Sequence, residues 1–140
     1  MRSTARTRWE GDLMSGSGVT SFASGAAGPL PVNWKARSEG QDATTTPEEL
    51  IAAAHASCFS MAFSGMLAKN DTPPTSLDVE ATATFVPGTG ITTMELSVAG
   101  VVEGITEEKF VELAETAKEN CPVSKALSGN VDISVVASLG

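Results

Sequence analysis

Thr46-Pro47-Glu48-Glu49-Leu50-Ile51-Ala52-Ala53-Ala54-His55-Ala56-Ser57-Cys58-Phe59-Ser60-Met61 is the stretch on which the fold turns. Thr46 has the side-chain oxygen an N-cap requires, and Pro47 follows at the first helical position, where its missing N–H is no loss. Glu49, three residues after the cap, completes a capping box, so a helix begins here. It runs through Leu50, Ile51, Ala54, Cys58, Met61, Phe63 and Met66 to about Lys69, and the breakers Asn70-Asp71-Thr72-Pro73-Pro74 end it. Ile51 to Ala68 carries no formal charge with His55 neutral. That run just reaches the ~18 residues of a membrane span. His55, Ser57, Ser60, Ser64 and Gly65, together with an Ala-rich, weakly hydrophobic composition and the lack of a second span, favour instead the central helix of a soluble core.

Toward the N-terminus, residues 1 to 24 alternate short extended pieces with Gly and Ser, as in Gly11-Asp12 and Ser15-Gly16-Ser17-Gly18, and predict strands joined by turns. Gly28-Pro29-Leu30-Pro31 is expected to interrupt regular structure, and Val32 to Glu39, which contains Arg37, to be a further extended piece before the polar linker Gly40 to Thr46. Toward the C-terminus, Leu77, Val79, Ala81, Ala83 and Phe85 alternate with polar residues, as do Met94, Leu96 and Val98, with Pro87-Gly88-Thr89-Gly90 between. Period two with an intervening turn predicts an antiparallel hairpin. Thr106-Glu107-Glu108 caps a second helix whose Phe110, Leu113, Ala114 and Ala117 share one face, and Asn120-Cys121-Pro122 ends it. Pro122 can begin a short helical turn through Leu127, and Val131, Ile133 and Val135 close the chain as a strand. The order of elements predicts an α+β fold, and the 140 residues a single domain.

The chain is 41% hydrophobic and 19% charged, with a formal net charge of −8. That balance argues against sequence-independent binding to nucleic acid or anionic membrane, which needs a surplus of Lys and Arg. Arg2, Arg6 and Arg8 are followed by no apolar stretch of the secretory kind, so a cytoplasmic location is expected. Two cysteines are too few for a disulfide-built secreted scaffold, and in a reducing compartment such a pair is catalytic, redox-sensing, metal-linked or structural. Two distant cysteines and the single His55 make a poor zinc set, and no metal is expected.

Taken alone, neither cysteine declares its role. Cys58, in the middle of an apolar helix, reads first as a small buried hydrophobe. Cys121, between a helix end and a proline, is placed by a rigid junction that a structural cysteine could also occupy. Only a thiolate is a strong nucleophile, and an ordinary thiol is mostly protonated near neutrality, so a chemical role for Cys58 requires a nearby cation. His55 lies three residues before Cys58 and is expected to be a satisfied core or interface histidine rather than a base.

The quoted stretch, followed by Cys121-Pro122-Val123-Ser124, resembles the osmotically inducible protein C (OsmC) family and its organic hydroperoxide resistance (Ohr) relatives. Trp9-Glu10-Gly11, Arg37 before Glu39-Gly40, and Pro74-Thr75-Ser76 are similar to residues of OsmC-like sequences at the same places, and His55 with Ser60-Met61 looks more like the OsmC branch. The resemblance covers essentially the whole chain. It implies antiparallel sheets packed around long central helices in an intertwined homodimer. It implies a thiol peroxidase in which Cys58 attacks an organic hydroperoxide, becomes a sulfenic acid and is captured by Cys121 as a disulfide. Arg37 matches the family's activating arginine, and Glu48 the glutamate that holds it, although a carboxylate in a first helical turn is also favoured by the helix dipole alone. No cofactor is implied; a small dithiol or a lipoyl-bearing protein would reduce the disulfide. Ser38 departs from relatives that carry a larger aromatic after the arginine, which bears on the pocket wall. Apolar side chains such as Met61, Met66, Phe59 and Phe63 would favour alkyl or aryl hydroperoxides over hydrogen peroxide.

Ten positions separate Glu48 from Cys58, or ~15 Å along one helix axis, too far to share a site within one straight helix. The expectation is therefore a dimer in which Arg37 and Glu48 of one chain approach Cys58 of the other. A non-enzymatic redox sensor using the same cysteine pair is the alternative.

Overall fold

Alternation of side chains and two strong helix caps give six strands and four helices in a computed structural model that describes residues 1–140. The chain forms two compact units, residues 1–50 and 51–140.

In the first unit, strands β1 (Ala5–Glu10) and β2 (Ser17–Phe22) pair antiparallel. Asp12 builds the turn between them: its carboxylate accepts the Met14 and Ser15 N–H groups at 2.8 and 2.9 Å and the Ser15 hydroxyl at 2.6 Å. Strand β3 (Leu30–Val32) joins the far side of β2, so the Pro-containing segment expected to interrupt regular structure is instead a short strand. Pro31 is tolerated because β3 is three residues long at a sheet edge, and its carbonyl still accepts the Thr45 N–H at 3.1 Å. The piece expected to be extended after it is likewise corrected: helix α1 spans Trp34–Glu39. Its cause is Asn33, an extended residue whose side-chain oxygen accepts the Ala36 N–H at 2.7 Å, and its stop is Gly40 at φ +83°.

Helix α2 (Pro47–Lys69) begins and ends where the sequence predicts. Thr46 Oγ1 accepts the Glu49 N–H at 3.0 Å. The Glu49 carboxylate, rather than returning to the cap's own N–H, accepts the Thr45 hydroxyl at 2.7 Å, so only half of the expected capping box forms.

In the second unit, β4 (Ser76–Val86) and β5 (Gly90–Val101) form the expected antiparallel hairpin. Helix α3 (Glu107–Asn120), capped by the Thr106 hydroxyl, and helix α4 (Pro122–Leu127) lead to β6 (Asp132–Leu139). That helical crossover returns the chain to the same end of the sheet, and β6 therefore runs parallel to β5. The α+β class holds, with a second sheet that is mixed rather than wholly antiparallel. Phe59, Phe63 and Leu67, four residues apart on α2, are fully buried with Leu96 and Val98 of β5 and Phe110, Ala114 and Ala117 of α3. The Phe63 and Phe110 rings meet at 4.9 Å. Gly100 is the seat of Phe110: a Cβ there would stand 2.6 Å from the ring, so this position accepts no side chain without displacing the core.

Candidate active site

Cys58 and Cys121, 121 − 58 = 63 positions apart, meet within the second unit. Helix α2 turns Phe59 fully inward and leaves Cys58 half-buried against the core cluster. Cys121 is fully buried at the α3–α4 junction, where its N–H is held by the Ala117 carbonyl at 2.9 Å and its own carbonyl accepts the Lys125 N–H at 3.0 Å. Both thiols are free, and the Cys121 thiol is near enough to Cys58 to act on its acidity.

Burial pushes the Cys58 thiol above its ordinary value of 9.0; the Val123 N–H, which faces the sulfur, works in the opposite direction, and the neighbouring Cys121 thiol adds to the rise. No cation is among the groups that shift it. With burial raising it, the Cys58 thiol is mostly protonated near neutrality in these surroundings, and a positive charge nearby would favour its thiolate.

His55 is fully buried, and its Nε2 meets the Ser124 hydroxyl at 2.7 Å. Burial lowers its pKa below 6.5, so the imidazole is neutral at neutral pH. Its Nδ1 has no partner. A buried N–H without an acceptor costs more than an idle lone pair, which assigns the proton to Nε2 and makes His55 the donor to Ser124. The expected burial of His55 is found, but the ring is satisfied at Nε2 alone and not at Nδ1, which corrects the expectation of a fully satisfied core histidine; its partner Ser124 is a residue that the sequence did not single out. Both were present in the two quoted strings, but nothing local joins them.

The first unit holds the expected cation. Arg37, in the last turn of α1, sends Nε and Nη2 to the same Glu48 oxygen at 2.9 and 2.7 Å. Glu48 is buried and Arg37 about a third exposed, so the carboxylate anchors the fork while part of the guanidinium stays accessible. Arg37 is also the one charged residue lining a cavity of about 420 Å³ walled by Trp9, Leu13, Val32, Trp34, Pro47 and Leu50. Ser38 is not among the residues lining this cavity: its hydroxyl donates to the Trp34 carbonyl at 2.9 Å, while the Trp34 side chain is part of the wall. Of the apolar residues expected to serve both core and pocket, Phe59 and Phe63 are core, Met66 packs against it, and Met61 is 75% exposed.

Comparison with known proteins gives a consistent picture. The profile of the family described as OsmC-like protein matches residues 40–136. Peroxiredoxin OsmC of Escherichia coli (strain K12) is 39% identical over 131 residues, covering 91% of each chain. Organic hydroperoxide resistance protein OhrB of Bacillus subtilis (strain 168) is 33% identical over 132 residues, covering 93% of this chain and 90% of that one. The crystal structure of an organic hydroperoxide resistance protein OsmC from Legionella pneumophila superposes with a TM-score of 0.70 at 23% identity over 96% of each chain, a likeness of fold.

Proposed function

This chain belongs to the OsmC-like protein family, and we propose that it is a cysteine peroxidase that reduces organic hydroperoxides to alcohols. The observation that carries the reading is the meeting of two free thiols from distant parts of the sequence, one half-buried and reachable, the other fully buried beside it.

In the proposed cycle the Cys58 thiolate attacks the outer oxygen of the peroxide. The O–O bond breaks, Cys58 becomes a sulfenic acid, and the alkoxide takes a proton to leave as the alcohol. The Cys121 sulfur then attacks the Cys58 sulfur, forming the disulfide and releasing water. An external dithiol or a lipoyl-bearing protein takes the oxidising equivalents and restores both thiols. Arg37 stabilises the thiolate and the charge on the departing oxygen, and Glu48 fixes the guanidinium by taking two of its donors. The apolar cavity beside Arg37 supports an alkyl or aryl substituent on the substrate, because such a group gains by leaving water while hydrogen peroxide gains nothing there.

The two units are proposed to act as one functional domain, in keeping with relatives that align across both. The active form is proposed to be a homodimer in which Arg37 and Glu48 of one protomer serve Cys58 of its partner. Helix α2 supports this: it is long and apolar enough to cross a membrane, yet carries the buried His55–Ser124 bond, and only 28% of its most apolar window is buried within one chain. A second chain covering that surface satisfies the helix without a bilayer. A cytoplasmic, reducing setting belongs to the same proposal, since the cycle consumes thiol reductant.

Steady-state turnover tests the reading. In excess dithiol, cumene hydroperoxide is expected to be consumed for many cycles per protein and with a kcat/KM at least about tenfold above that for hydrogen peroxide, given the apolar area a cumyl group buries. Consumption that stops after one equivalent would identify the redox sensor instead.

A further inference from the structure

Resting on that reading and extending it, we propose that the hydrogen bond between His55 and Ser124 is a clasp that positions Cys121 for disulfide closure, making both side chains positioning residues for the second step of the cycle.

The geometry is a pair of matched spacings. His55 precedes Cys58 by three positions on α2, and Ser124 follows Cys121 by three positions across the start of α4. Three residues is about one helical turn, so two cross-links between the same two elements stand one turn apart: thiol to thiol, and imidazole to hydroxyl at 2.7 Å. The second persists while the first changes chemically from two thiols, through a sulfenic acid, to a disulfide.

Helix α4 needs such a tie. It is six residues long, too short to hold itself, and begins at a proline with no N–H to give; its Val123 N–H faces the Cys58 sulfur, an acceptor that changes as the cysteine is oxidised, whereas the His55–Ser124 bond does not involve the reacting atoms. Apolar contact alone brings surfaces together without fixing register, whereas a hydrogen bond selects distance and angle. The tie also has a cost that an apolar pair would avoid, because His55 keeps a buried Nδ1 with no partner. A disulfide needs Cα atoms within ~6 Å and sulfurs in line, so a small drift of the Cys121 turn would strand the sulfenic acid.

The balance of the step is Cys58–S–OH plus Cys121–SH giving the Cys58–Cys121 disulfide and water, with no further reactant. The experiment is rapid mixing of reduced protein with one equivalent of cumene hydroperoxide. Sulfenic acid is followed by dimedone capture, closure by intact mass, and sulfinic acid after excess peroxide. Ser124→Ala is expected to form the sulfenic acid within about twofold of the wild-type rate and to close about ten- to a hundredfold more slowly, with more sulfinic acid. Ser124→Thr, which keeps the hydroxyl, is expected to close within a few-fold of wild type, and its isostere Ser124→Val to behave as Ser124→Ala, so the comparison survives if the alanine variant folds poorly. Unchanged closure in the variants lacking the hydroxyl, or equal slowing of both steps, would overturn the clasp. A wild-type protein that forms no Cys58–Cys121 disulfide would overturn the peroxidase cycle itself, and the clasp with it.

Discussion

Cys58→Ser is expected to lose peroxidase turnover by at least about three orders of magnitude, because a hydroxyl at the same place has neither the acidity nor the nucleophilicity of sulfur. The folded state is expected to survive, since Cys58 is only half-buried and Ser is slightly smaller. Cys121→Ser should separate the steps: one equivalent of hydroperoxide is still reduced at a near wild-type rate, and Cys58 then remains as a sulfenic acid that dimedone captures. Stopped-flow consumption with each variant distinguishes the roles. Retained turnover in Cys58→Ser would remove the proposed nucleophile, and a Cys121→Ser protein that never oxidises would merge the two roles into one.

The next largest effect belongs to Arg37. Within its own surroundings Cys58 is pushed above 9.0 chiefly by burial, so at neutral pH about one per cent or less of it is thiolate without a cation. Arg37→Met is expected to lower kcat/KM by about 10²- to 10³-fold, the scale of removing one preorganised electrostatic donor. The sign of the pH dependence follows. Raising the pH deprotonates the unassisted thiol, so the variant's rate should climb steadily through and beyond pH 9.0 while the wild-type rate levels off lower. Arg37→Lys keeps the charge but loses the fork held by Glu48, and should fall between them. If the site is shared between protomers, mixing Cys58→Ser with Arg37→Met should restore activity. Each mixed dimer then has one intact site, and random exchange gives about a quarter of wild-type turnover. No recovery after subunit exchange would put the whole site in one chain.

What could be read from the sequence was whatever the chain encodes locally. Thr46 and Pro47 announce α2 because a cap and a fixed φ act within one turn, and the alternation from Leu77 to Phe85 announces β4 because a strand shows its two faces residue by residue. Helix α1 was hidden because six residues show no periodicity, and its only signal was Asn33 as a cap. Strand β6 has an evident period, but its parallel direction is set by the path through α3 and α4, which no period encodes. The site divides in the same way. Cys58, Cys121, Arg37 and Glu48 were reachable through resemblance, and the structure joins the first two to each other and the last two to each other. Ser124 bonds to His55 across 69 positions, and only the folded chain discloses such a pair.

Cys58 and Cys121 are proposed to form one redox couple driven by an organic hydroperoxide. Its most direct test is mass mapping of the reduced protein after one equivalent of cumene hydroperoxide, without added reductant. The expected product has lost two hydrogens, carries a Cys58–Cys121 linked peptide, and regains the original mass with dithiol. Unmodified thiols after peroxide consumption, or oxidation confined to methionines such as the exposed Met61, would contradict it.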